Sequence, residues 1–243
     1  MAAVNAVLKI RNEEPFILQR NEAYIGVLID DLVTKLLEEP YRMFTSRAEF
    51  RLLLRQDNPD LRLMEYGYQL GLIDSETHAD LLARKREIEN AFDQVRRLRP
   101  AVADVNPILE RRGTAALSEV ETVEHLLKRP ELSITDFASI YPQYELFQTN
   151  ASRFWKRVQQ HIQVQVKYDG FLKRQEEQVA KMREMENVEI PAAFPYEKLN
   201  SISTEGREKL QRIQPRTLGQ ASRILGVSPS DVAVMMVYLN RKK

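Results

Sequence analysis

From residue 151 to 185 the chain holds a helical pattern for more than thirty residues, with no proline and only Gly170 inside it. Val158, Ile162 and Val166 line one side, and Tyr168, Phe171, Leu172, Val179 and Met182 follow further on. A helix of that length runs roughly 50 Å at about 1.5 Å per residue. Its apolar stripe needs partners, and strand patterns are weak throughout the chain, so those partners are other helices. The expected fold is all-α: a multi-helix region closed by a small three-helix subdomain.

Caps and prolines mark the other helices. Residues 2–10 read as the end of a helix without a cap, as though cut from a longer sequence. EAYIGVLIDDLVTKL places apolar residues at 24, 25, 28, 29, 32 and 33, and Pro40 stops it. Ser46 and Glu49 have capping-box spacing, which predicts a helix over about 47–56. Read as a strand, the same stretch puts Arg51, Leu53 and Arg55 on one face. Pro59 opens a helix over 59–71, and Asp74-Ser75 caps one over about 76–98 with a near-heptad at 81, 88, 92, 95 and 98. Asn106-Pro107 starts a short helix closed by Gly113, and Ser118 with Glu121 forms a second capping-box pattern before Pro130. NVEIPAAFPYEKLN is the best internal boundary, followed by three short helices at 204–213, 217–225 and 229–240. The expected segments are 1–57, 58–190 and 191–243.

Several chemistries lack their equipment. There is no cysteine, so no disulfide or thiolate chemistry is expected. No GxGxxG or Walker phosphate loop occurs, and His78, His125 and His161 have no ligand partner at metal spacing, so no metal is expected. The longest apolar runs fall far short of the ~20 residues of a membrane span, and no signal peptide opens the chain, so a cytoplasmic location is expected.

The net charge is only +1, so an argument for a polyanionic partner must rest on clustering. EPYRMFTSRAEFRLLLRQDN, from Glu39 to Asn58, carries Arg42, Arg47, Arg51 and Arg55 among apolar residues. Arginine in such a setting fits planar, bidentate pairing with phosphate. The alternative is internal pairing, with Arg47 or Arg51 bridging Asp30, Asp31, Asp57 or Asp60. Residues 153–183 are also basic, with Lys173 and Lys181 eight apart on nearly one face and Arg174 to one side. Arg216 and Arg223 make the tail basic. The tail has the cadence of a helix-turn-helix, but its last helix centres on Val232, Ala233, Val234, Met235, Met236 and Val237. That surface suits burial or docking of a protein through Val232, Met235 and Met236, not base reading.

Ala23 to Leu63, with KYDGFLKRQ at 167–175, ISTEGREKL at 202–210 and PRTLGQASRILGVSPSDVAVMM at 215–236, closely resembles the glucose-inhibited division protein A (GidA, MnmG) family. The resemblance covers nearly the whole chain and corresponds to the family's C-terminal region, with 1–57 as the tail of its α/β flavin domain and an arginine-rich junction. It implies an enzyme that binds FAD, uses NADH, and with the GTPase MnmE modifies the wobble uridine of tRNA, as a homodimer. The flavin fingerprint and catalytic cysteines are missing here, so the expectation is a non-catalytic part that binds tRNA and partner. In that setting Arg42, Arg47, Arg51 and Arg55 lie where some of them grip the tRNA backbone, and Lys173, Arg174 and Lys181 form a track for the anticodon arm. A helical module that only docks protein is the alternative.

Overall fold

The computed structural model describes residues 1–34, 40–45, 48–199 and 201–240. Among them the chain is helical with no strand, and one isolated antiparallel bridge joins Glu189 to Thr217. The helices are α1 (Ala2–Ile10), α2 (Tyr24–Thr34), α3 (Pro59–Gln69), α4 (Ser75–Arg97), α5 (Val102–Arg111), α6 (Val123–Leu127), α7 (Arg153–Lys167), α8 (Asp169–Glu186), α9 (Thr204–Ile213), α10 (Leu218–Ser222) and α11 (Pro229–Asn240). None of the described helices is long and apolar enough to cross a membrane.

Caps explain where many of them begin. Asp74 accepts from the Thr77 amide at 2.8 Å to start α4, Ser152 caps α7, and Thr217 caps α10. Gly113, at φ 68°, stands just beyond α5 in the left-handed conformation that glycine adopts without cost.

Two compact units result. One comprises residues 55–173 and the other residues 1–54 with 174–243, so the division falls within α8. In the 55–173 unit, α4 buries Ile88, Ala91 and Val95, and α7 buries Val158, Ile162 and Val166 on a 3.6-residue period. Phe137 and Phe147, both wholly buried, fill the same core at a ring separation of 6.1 Å. In the second unit, Leu210 of α9, Leu218 of α10 and Met235 of α11 share a core with Ile190, Phe194 and Tyr196.

Five expectations change. Residues 48–58 form turns, not a helix: Phe50 is left-handed at φ 49°, and the Leu53 and Leu54 amides both return to its carbonyl at 2.9 Å. Glu49, expected to cap, instead grips Arg20 with both oxygens, at 3.1 and 2.8 Å. Ser46, the other half of that capping box, lies outside the described residues. The long helix is two, with Tyr168 between them at φ −106°. The helix expected after Ser118 starts at Val123, because Thr122 accepts from the His125 amide at 3.1 Å. The helix expected from Asn106 starts at Val102 and carries Pro107 inside, forgoing one backbone bond there. Finally, α2 buries Gly26, Val27, Asp31 and Thr34, while Ile25, Leu32 and Val33 of its apolar pattern face outward.

Candidate nucleic-acid interface

Positive charge can serve RNA only where internal carboxylates have not taken it. The 1–54 and 174–243 unit contains such a sink. Arg20, 3% exposed, donates to Asp30 at 2.9 Å, to Asp31 at 2.8 Å and to Glu49. Burial alone lowers its pKa, but Glu49 and Asp31 outweigh burial and hold it raised, so the guanidinium is permanently charged. Arg223, just past α10, donates from Nε to Asp30 Oδ2 at 2.9 Å and from Nη2 to Asp30 Oδ1 at 3.2 Å, and it also pairs with Glu186 of α8. Thr217 donates to the other oxygen of Glu186, and Tyr41 donates to Asp31 Oδ2 at 3.0 Å. Two arginines thus bind four carboxylates and tie together pieces 193 residues apart.

The 55–173 unit has its own cluster. Arg55 pairs with Asp57 at 2.9 Å, and its Nη2 lies 3.3 Å from His161 Nδ1. A guanidinium only donates, so Nδ1 accepts and the ring proton sits on Nε2. Burial and then Arg55 push His161 down to about 4, so the imidazole is neutral at pH 7. Asp60 of α3 pairs with Arg84 of α4 at 2.5 Å and with Arg157 of α7 at 3.6 Å.

The residues singled out from the sequence therefore separate. Arg42 and Arg51 are exposed, and Arg47 lies outside the described residues. Arg55 and Arg223 are held in ion pairs, so internal pairing has claimed them, with Asp30 bound to Arg20 and Arg223. On α8, Lys173 is exposed and bridges Asp169 at 3.1 Å, a surface pair worth little. Arg174 and Lys181 are exposed, and seven residues place them about 20° apart round the helix, so they rather than Lys173 and Lys181 share a face. Arg216 is exposed as well. Val232 and Met235 are buried in the core that holds Leu210 and Leu218, whereas Met236 is 40% exposed. Beside it Lys198, Leu199, Ser201, Ala233, Val234, Val237 and Tyr238 line a cavity of about 560 Å³.

Sequence reading missed Arg20 as a hub and His161 as a neutral acceptor. The DD of α2 and the lone Arg20 before it were visible, but which base answers which acid depends on contacts across the whole chain. Among the described residues no strand leads through a glycine-rich turn into a helix. No group of three or more metal-ligating side chains occurs among them either.

Comparison with known proteins gives the family. The tRNA modifying enzyme MnmG/GidA C-terminal helical domain matches residues 75–176, and the MnmG/GidA C-terminal helical bundle matches residues 178–243. The tRNA uridine 5-carboxymethylaminomethyl modification enzyme MnmG of Enterococcus faecalis is 42% identical over 100% of this chain and 38% of its own length. That of Lacticaseibacillus paracasei is 44% identical over 99% of this chain and 37% of its own length. The chain thus spans little more than a third of these relatives. Aquifex aeolicus GidA in its form II crystal superposes with a TM-score of 0.78 at 34% identity, over 98% of this chain and 36% of that one. Matched in fold along nearly all its length and in sequence by both helical modules, the chain belongs to the MnmG/GidA family of tRNA modifying enzymes and corresponds to its C-terminal part.

Proposed function

We propose that this chain is the tRNA- and partner-binding part of an enzyme that modifies the wobble uridine of tRNA together with the GTPase MnmE. In this reading FAD, NADH and the uridine chemistry belong to sequence that the relatives have and this chain does not span, and the complete enzyme is a homodimer in the cytoplasm. The observation that carries the reading is the family match, joined to a set of arginines and lysines that are exposed at the surface. Arg42, Arg51, Arg174, Lys181 and Arg216 supply phosphate contacts, and such contacts position RNA without reading its sequence. The cavity beside α11, with exposed Met236 and Val237, favours a second role in the same chain, docking of the GTPase.

The test is a salt titration of fluorescent tRNA transcript binding to this chain and to Arg51→Ala/Lys181→Ala. Each lost phosphate contact flattens the slope of log affinity against log salt by roughly 0.7–0.9. The double variant is expected to lose about 1.5 from the slope and to keep its melting temperature, since exposed substitutions usually change stability by no more than about 0.5 kcal/mol. An unchanged slope removes these residues from the interface. Absence of tRNA binding at low salt, with capture of the GTPase intact, leaves only the protein-docking role.

A further inference from the structure

We propose that Arg223 is a positioning residue for the RNA-contacting segment: through Asp30 and Arg20 it fixes the turn that carries Arg51, and so couples the C-terminal helices to that segment. The inference rests on reading Arg42 and Arg51 as RNA contacts. Tyr41 is held by Asp31, Glu49 by both guanidinium edges of Arg20, and Leu53 by a bond from its amide to Gln175 Oε1 at 3.3 Å. Between the last two, Phe50 sits at φ 49°, a conformation a bulky side chain adopts only where its surroundings force it. The Glu49–Arg20 pair adjoins that residue directly.

Arg20 divides its donors among Glu49, Asp30 and Asp31, while Asp30 Oδ2 accepts from both Arg20 and Arg223 and its Oδ1 accepts from Arg223. Replacing Arg223 by a neutral side chain leaves Asp30, 14% exposed, and Glu186, 17% exposed, without their shared cation. A largely buried carboxylate that loses one of two cations draws the other more strongly. The guanidinium left to Asp30 is then Arg20, already bonded to it at 2.9 Å and shared with Asp31 and Glu49. Drawing Arg20 toward Asp30 weakens the Glu49 grip and with it the constraint on Phe50 and Arg51. Because Arg223 lies at the end of α10 and Glu186 in α8, any shift of the C-terminal helices that moves Arg223 has the same consequence.

Two measurements on the whole chain test this, with Arg223→Gln and Arg223→Lys. Residue-resolved hydrogen exchange should show the Leu53 and Leu54 amides exchanging faster in Arg223→Gln, with the amides of α9 and α11 unchanged. The affinity for tRNA transcript at fixed salt should fall about tenfold, a typical coupling between linked sites. Arg223→Lys, which restores charge without the fork, should recover part of both effects. Wild-type exchange at Leu53 and Leu54 in Arg223→Gln overturns the proposal. So does acceleration spread equally over α9 and α11, which would make Arg223 merely structural. If the wild-type chain binds no tRNA, the RNA reading fails while the exchange experiment still decides the coupling.

Discussion

Replacing Asp231 by asparagine should destabilise the C-terminal helices by about 1–4 kcal/mol at pH 7. Asp231 stands in the first turn of α11 and is 3% exposed. Its Oδ1 accepts from the Ser203 amide at 2.8 Å, and its Oδ2 accepts from the Ser203 hydroxyl at 3.0 Å, the Ser228 amide at 2.9 Å and the Ser228 hydroxyl at 2.8 Å. Ser203 in turn caps α9 by accepting from the Gly206 amide at 3.0 Å. One carboxylate therefore organises the starts of two helices. Asparagine has a single oxygen. Whichever way it turns, the Ser203 or the Ser228 amide faces an NH₂ group, because backbone donors cannot rotate away as hydroxyls can. An orphaned buried amide costs about 1–3 kcal/mol, and the lost charge at the positive end of α11 adds about 0.3–1. Burial raises the Asp231 pKa, but the bonds from Ser203 and Ser228 outweigh it and leave it below the ordinary carboxylate value. A depressed folded-state pKa contributes stability that is present above the unfolded value, about 3.9, and is lost as pH falls through the folded one. The difference between wild type and Asp231→Asn should thus be full at pH 7 and shrink below about pH 4. Amide exchange in α9 and α11 under mild urea reads this locally, which matters because a chain of two units need not melt in one step. Protection within about 0.5 kcal/mol of wild type at pH 7 would refute the shared-cap reasoning.

Two further outcomes are expected. His161 should titrate near 4 by NMR, and since the unfolded chain binds a proton from pH 6.5 downward that the folded chain refuses, residues 55–173 should lose on the order of 3 kcal/mol as pH falls from 6.5 to 4. In His161→Gln, which keeps an acceptor for Arg55, that pH-dependent loss should vanish; its persistence assigns the effect elsewhere. Gly26→Ala should lower stability by about 1–3 kcal/mol, since a Cβ there would lie 2.4 Å from the Gln19 carbonyl oxygen and 2.6 Å from that of Leu18, both backbone. An unchanged melting temperature would mean that the approach of residues 18–19 to α2 is not required.

Basic clusters are commonly taken as nucleic-acid surfaces, and Arg55 and Arg223 show how that inference is filtered by tertiary structure. Each looked like its neighbours in the sequence, yet each meets carboxylates at hydrogen-bonding distance. A guanidinium so paired gains little by contacting phosphate, because it must first surrender a charge-assisted bond of similar strength. Among the described residues Arg42 and Arg51 form no such ion pair, and Lys173 has a solvent-exposed i,i+4 pair to give up.

The sequence by itself determined the class of fold and most helix limits, because those signals act within a turn or two. Asp74, Ser152, Ser203, Thr217 and Gly113 fix helix ends through bonds to residues no more than a few positions away. The three C-terminal helices were legible for that reason, as was the burial of Ile88, Val95, Val158 and Ile162. The same local signals failed where a distant group competed for them. Glu49 had the spacing of a cap, but Arg20, 29 residues earlier, took both its oxygens, and no helix followed. Val232 and Met235 lay on an apolar helix whose inner face only packing could choose. The pairing of Arg223 with Asp30 spans 193 residues and was decided by the tertiary structure alone, since a guanidinium carries no sequence mark of which carboxylate will answer it.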